Sequence, residues 1–186
     1  METNSQSYKN ALLTQVKDAY GRLLYTYTVH LKQARIYQVR NSVIKWLQII
    51  LSALSTCGLI AIIITNSSLV SILSGICTTI LLVISTYSKD INLDNQINEH
   101  CTFAHRLWII KERYITLLTD FPVMSPDQIS NARNELQLAT AKEYAEEPPT
   151  SKKSYKKAQK ALKKEEEQYF AIDELNQILP PHLRSK

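Results

Sequence analysis

Few residues in this 186-residue chain carry groups that do chemistry, and most are scattered. His100, Cys101 and His105 form the one close cluster of metal-ligating types, with Cys101 and His105 sharing a helix face at i, i+4. Zinc needs three or four ligands, and no second cluster supplies the others. His30 and His182 stand alone. Asp90, Asp94 and Glu99 lie close together without a nucleophile or a metal motif beside them. Gly21, Gly58 and Gly75 are too far apart for a GxGxxG turn or a P-loop. Three cysteines, at 57, 77 and 101, do not make a disulfide scaffold. The expectation is a protein that is not an enzyme, with no catalytic residue, no metal site and no cofactor.

A second set of polar residues sits in an unusual setting. From Trp46 to Ser88 the chain has no Asp, Glu, Lys, Arg or His, a run of 43 residues. Within it, Gln48, Ser52 and Ser55 recur at steps of four and three. Ser71, Ser74, Thr78 and Ser85 recur at steps of three, four and seven. Two roles fit such stripes. They can line a water-accessible pore when several hairpins assemble. They can also pack helices, because small residues allow close approach and hydroxyls bond across the contact; Ser71, Gly75 and Thr79 form one small-residue ladder, and Ser52 and Thr56 another. The missing ionisable groups disfavour ion-coupled transport, proton relay and voltage sensing. A pore without charged rings or a filter loop would be poorly selective.

A third feature is basic. Seven lysines fall within the 13 residues from Lys152 to Lys164. Lys152, Lys153, Lys156, Lys157 and Lys160 are candidate partner-docking residues, since such a face can meet nucleic acid or anionic lipid. Glu146, Glu147 and Glu165 to Glu167 flank the run and balance it in sequence, so direct nucleic-acid binding is not expected.

The elements that position these groups are mostly helices. The uncharged run is about twice the ~20 apolar residues that cross a bilayer. It divides at the turn-type cluster Asn66-Ser67-Ser68, giving spans over 46–65 and 69–87, each roughly 30 Å long as a helix. A secretory signal peptide does not fit a run that starts at residue 46 behind a long polar segment. Burial of two such helices in a soluble core is the alternative, an unusual one for so small a chain. Trp46 and Tyr87 suit interfacial anchors. Lys32, Arg35, Arg40 and Lys45 flank one end and Lys89 and Arg106 the other, while the turn has no basic residue; this places both termini in the cytoplasm. Residues 1–45 hold 7 basic and 2 acidic groups, and residues 89–186 hold 15 of each. The net charge of +5 thus belongs to the helix entering the membrane and reads as a topology signal.

Around the hairpin, residues 1–45 form a cytoplasmic amphipathic helix with a stripe of Leu12, Val16, Ala19, Tyr20, Leu23, Tyr27, Leu31 and Ala34. A helix over 89–120 has the stripe Ile97, Cys101, Ala104, Trp108, Ile115 and Leu118, and ends near Asp120 because Pro122 follows. The tail, 121–186, starts a helix at Ser125-Pro126-Asp127-Gln128 that runs to about Glu146. Glu147-Pro148-Pro149-Thr150 breaks it. A charged helix follows over Ser151 to Phe170, then a short one from Asp173 to Leu179, stopped by Pro180-Pro181. Tyr20, Tyr27, Trp108 and Tyr114 read as core packing. The fold class is an all-α membrane protein: a two-helix transmembrane hairpin extended by long cytoplasmic amphipathic helices, with a helical C-terminal tail.

This layout resembles the SLATT family of two-transmembrane effector domains from bacterial conflict systems. The residues that carry the resemblance are Tyr27, His30 and Ala34 before the hairpin. After it come Tyr87-Ser88, Asn98, Ala104, Trp108, Glu112, Tyr114 and Leu117-Leu118-Thr119-Asp120. The tail adds Pro126, Ala132, Leu136, Ile172-Asp173-Glu174-Leu175 and Leu179-Pro180-Pro181-His182-Leu183-Arg184. The resemblance covers most of the chain, roughly residues 10 to 184. The resemblance implies a membrane-perturbing, pore-forming effector of an antiviral, abortive-infection system, assembling as a homo-oligomer in the lipid bilayer of the bacterial inner membrane and depolarising it. It also implies a regulatory partner encoded nearby: a nucleotide-second-messenger synthase, a SLOG-type sensor or a reverse transcriptase. With no sensor expected within the 186 residues, the trigger would act from another chain. The alternative reading is a membrane-anchored adaptor that recruits a cytoplasmic partner without permeabilising anything.

Overall fold

The structure is a computed structural model, and it describes residues 2–65 and 67–184. Among these, every regular element is helical: α1 (Glu2–Thr65), α2 (Ser68–Ile91), α3 (Leu93–Asp120), α4 (Pro126–Tyr144), α5 (Lys152–Lys163) and α6 (Ile172–Ile178), followed by a 3-10 turn (Pro181–Leu183). The expected break in the apolar run falls where α1 ends and α2 begins, with Ser67 in an extended conformation before α2. Asn66, the first residue of the expected turn cluster, lies outside the described residues. The chain divides into two compact units.

The first unit comprises the chain up to Gln33 and from Thr102 onward. Its core joins the N-terminal part of α1 to α3 and α4 through Val16, Leu23, Phe103, Leu107, Ile110, Tyr114, Leu117 and Leu136. A second cluster of Leu12, Phe121 and Ile129 closes one end. On α3 the large buried residues step by three and four from Phe103 to Leu117, the spacing of one helix face, and Phe121 continues the row just past its end. This differs from the expected stripe. Ala104 is buried, but Trp108 is 43% exposed and Ile115 38%. The row through Phe103, Leu107 and Tyr114 is bulkier and fills the space against α1, which turns Trp108 outward. Arg106 ties α3 to α4, with Nε 2.7 Å from a Glu143 carboxylate oxygen and an Nη 3.5 Å from Glu146.

α4 starts as the sequence predicts. Gln128 N–H donates to Ser125 Oγ at 3.3 Å, and Ser125 N–H donates to Gln128 Oε1 at 2.8 Å, a reciprocal capping box. α5 stops at Lys163, seven residues before the expected Phe170. Glu166 turns left-handed at φ 50, and Glu167 pairs with Lys32 on α1 at 2.6 Å. An ion pair to another helix thus draws the glutamates off the axis of α5.

The second unit, Ala34–Cys101, contains the rest of α1, all of α2 and the start of α3. α2 continues past the expected limit of the span to Ile91 and is capped by Asn92 in the left-handed region (φ 46, ψ 58). Asparagine tolerates that conformation because its short polar side chain bonds locally; here Oδ1 accepts from Asn95 N–H at 3.3 Å. Two helices of the chain contain stretches long and apolar enough to cross a membrane.

Candidate functional site

In the 46–88 run the usual relation of polarity to burial is inverted. Among its described residues the only buried side chains are Ser55 and Ser74. The large aliphatics face outward, with Ile49 58%, Ile63 84% and Leu82 66% exposed. A soluble core buries its aliphatics, so the soluble-core alternative is set aside. The pattern suits a helix pair whose solvent is hydrocarbon, where contacts rest on small residues and interhelical hydrogen bonds.

The polar residues fall into three groups. The first closes the hairpin. Ser74 Oγ donates to Ser55 C=O at 3.4 Å, and Thr78 Oγ1 lies 3.3 Å from Ser55 Oγ. Gly58 faces them: a Cβ there would stand 2.8 Å from Ser74 Oγ and 2.9 Å from Ser74 Cβ. The second lines an open groove along the paired helices, made by Lys45, Gln48, Ser52, Thr56 and Ser85 with Ile49, Ala53, Cys57 and Leu81. Gln48 Nε2 donates to Ser85 Oγ at 3.4 Å within it. The third, Ser71 and Gly75, lies exposed on α2; Ser71 Oγ donates to Ser67 C=O at 3.3 Å, and Gly75 has open space around it. The sequence stripes therefore split, with Ser55, Ser74 and Thr78 inward and Gln48, Ser52 and Ser85 along the groove. Gly58 has no place in the sequence stripes, and Thr56 enters there only in a small-residue ladder with Ser52. A lone glycine amid large aliphatics in the first span was the available signal for Gly58.

The flanks of the hairpin are also ordered. Trp46 is 65% exposed. Arg40 donates to Tyr87 Oη, and its guanidinium lies 5.7 Å from the Tyr87 ring centre. Asn41 Nδ2 donates to Asp94 Oδ1 at 2.6 Å, and Lys45 pairs with Asp94 at 3.4 Å. Arg35 donates to Gln38 Oε1 at 3.4 Å, and Lys89 is exposed in the last turn of α2.

The metal-ligating types do not converge. His100 is buried, with its ring 5.6 Å from Tyr37. His105 stacks on Trp108 at 6.1 Å. Among the described residues no group of three or more His, Cys, Asp and Glu is placed to hold a metal.

His30 is the most enclosed titratable group of the first unit. Its side chain is fully buried, 4.4 Å from the Phe103 ring, and its Nε2 lies 3.1 Å from Glu147 Oε1. Burial pushes its pKa below the ordinary imidazole value, and the Glu147 carboxylate opposes that only in part. The folded protein therefore holds the neutral ring, while the unfolded chain takes up the proton first. The resulting stability is complete above the unfolded value and is lost as pH falls from there through the lower folded value. The thermal midpoint of the wild type should be level above about pH 7 and decline from about pH 6.5 downward. His30→Gln should flatten that decline; an equally steep loss in the variant would remove His30 as its cause.

Two apolar helices, with hydroxyls inside and aliphatics outside, define a two-span helical membrane protein. The model of the SMODS and SLOG-associating 2TM effector domain family 4 matches residues 12–174, and the chain belongs to this family. The SLATT resemblance carried by the residues before and after the hairpin is borne out by that match. No curated protein and no solved structure matches the chain.

Proposed function

We propose that this chain is the membrane-permeabilising effector of a bacterial antiviral system, assembling in the inner membrane and depolarising it when a partner signals infection. The observation that carries this reading is the polar groove of Gln48, Ser52, Thr56 and Ser85, which runs along a hairpin otherwise covered in aliphatic side chains. One hairpin cannot enclose a channel. Several copies around an axis bring their grooves together and give those hydroxyls water in place of lipid. Within the 43-residue run the lining has no Asp, Glu, Lys, Arg or His, so the only charge on the groove is Lys45 at its mouth, where a ring of ammonium groups would disfavour cations without a narrow filter. On this topology both termini are cytoplasmic, as the basic residues Lys32, Arg35, Arg40, Lys45 and Lys89 require. The family description names SMODS and SLOG association, which makes a nucleotide-signal synthase or a SLOG-type sensor encoded nearby the fitting trigger. Activation is a population shift toward the assembled state.

A potential-sensitive dye in cells expressing the chain with its genomic neighbours tests the reading. Triggering the system should collapse the membrane potential, and Ser52→Leu with Thr56→Leu should suppress the collapse while the protein stays in the membrane. Normal potential after triggering sinks the proposal and leaves the adaptor reading.

A further inference from the structure

The lysine helix changes meaning once its neighbours are seen. In sequence, Glu146, Glu147 and Glu165 to Glu167 appear to neutralise it. In the structure most of these acids are committed elsewhere. Glu146 pairs with Arg106 and Glu167 with Lys32, while Glu147 is held by a hydrogen bond to the neutral ring of the buried His30. Only Glu165 turns back to a lysine of α5, Lys160. Among the described residues Lys152, Lys153, Lys156 and Lys157 form no ion pair. These four and Lys160 are the whole lining of an open surface groove.

The six lysines of α5 lie on one arc of about 140° at 100° per residue. The opposite arc, Ser154, Ala158 and Ala161, is buried. α5 is fixed to α1: Ser151 N–H and Oγ donate to Gln33 Oε1 at 3.2 and 2.8 Å, and the Tyr25 and Tyr155 rings stand 5.0 Å apart. The docking holds the lysine arc on the surface, where neighbours at i, i+3 and i, i+4 repel. A regular anion laid along the arc relieves that repulsion. Lys152, Lys156 and Lys160 recur every four residues, about 6 Å along the axis, with Lys153 and Lys157 in a parallel row. A phosphodiester chain offers one full charge per nucleotide in a linear array and gains further from released counterions. A membrane surface fits less well. Helices that lie on membranes insert Trp, Phe or Leu opposite their lysines, whereas here the opposite arc is small, polar or buried against α1.

We infer that the lysine groove of α5 binds single-stranded nucleic acid through its phosphodiester backbone. This inference is independent of permeabilisation. The test uses the full chain in nanodiscs of zwitterionic lipid and a fluorescent oligouridylate, followed by anisotropy across a salt series. Four unpaired lysines predict a slope of log Kobs against log salt of roughly −3, at about −0.7 per phosphate contact. Changing Lys152, Lys153, Lys156 and Lys157 to Gln should weaken binding at least about tenfold and bring the slope near zero, with helix content by circular dichroism unchanged. Lys17→Gln with Lys142→Gln, exposed lysines elsewhere, should change neither. Absent or salt-insensitive binding overturns the inference, as does binding unaltered in the four-lysine variant. Equal competition by polyglutamate at matched charge assigns the groove to acidic protein instead. Protection of α5 from protease only in nanodiscs containing phosphatidylglycerol assigns it to lipid.

Discussion

Gly58→Leu should drive the two spans apart. Even a single added carbon at this position falls 2.9 Å from Ser74 Cβ, an atom fixed to the backbone of α2. Rotating the Ser74 hydroxyl away leaves that second contact in place, so the helices themselves must move. Overpacking of this kind costs about 1–3 kcal/mol and occasionally more, and leucine brings four carbons into a space that holds none. The shift also breaks the bond from Ser74 Oγ to Ser55 C=O and the approach of Thr78 to Ser55. A disulfide between cysteines placed at Ser55 and Thr78 reports the spacing, in a chain whose Cys57, Cys77 and Cys101 are replaced by serine. Its yield in membranes should fall at least about tenfold with Gly58→Leu, since about 1.4 kcal/mol is a factor of ten. Gly75→Leu is the control: its neighbourhood is open, and the yield should hold. Equal yields in both variants would show that the spans are not packed through Gly58. If the proposed permeabilisation depends on the hairpin, the dye response disappears with Gly58→Leu as well.

Phe103→Ala should be the most costly substitution in the first unit. The ring is 1% exposed, belongs to the main cluster and stands against His30. Removing it takes away its transfer free energy and leaves a cavity between α1 and α3, about 3–5 kcal/mol in total. That is a large share of the roughly 5–15 kcal/mol that holds a typical domain together. Trp108→Ala, with the larger ring but 43% exposure, should cost much less. Urea titration of the purified chain with limited proteolysis as readout ranks the two. A Trp108 variant less stable than the Phe103 variant would put the core on the other face of α3.

That pair of residues also shows where the sequence is legible. The period of α3 was readable, but its phase was not. Apolar residues stand on more than one side of this helix, and Trp108 is as good a core candidate as Phe103 until α1 and α4 are in place. The connector near Ser67, the start of α4 at Ser125 and the end of α3 at Asp120 were readable because each rests on local chemistry: turn residues, a capping box and a nearby proline. The break at Asn92 was not, since one left-handed asparagine leaves no periodicity to detect. The docking of α5 was hidden for another reason. It is tied to α1 by Ser151 at its N-cap with Gln33 and by Tyr155 with Tyr25, and the segment before it by Glu147 with His30, polar or aromatic pairs between distant segments that an apolar stripe cannot encode. Within the candidate site, the spacing singled out Ser55, Ser74 and Thr78, which approach one another in the structure. Which of the polar groups meet across the hairpin and which line its groove depends on helix rotation, set by Gly58.

The connector between the spans decides which compartment can regulate the protein. α1 ends at Thr65 and α2 begins at Ser68, and no residue there is charged. On the proposed topology the periplasm meets no loop to grip, no carboxylate to chelate and no cleavable segment of useful length. On that same topology all 22 basic and 17 acidic side chains lie on the other side. The charged groups by which a regulator could hold or release the hairpin would then be reached from the cytoplasm.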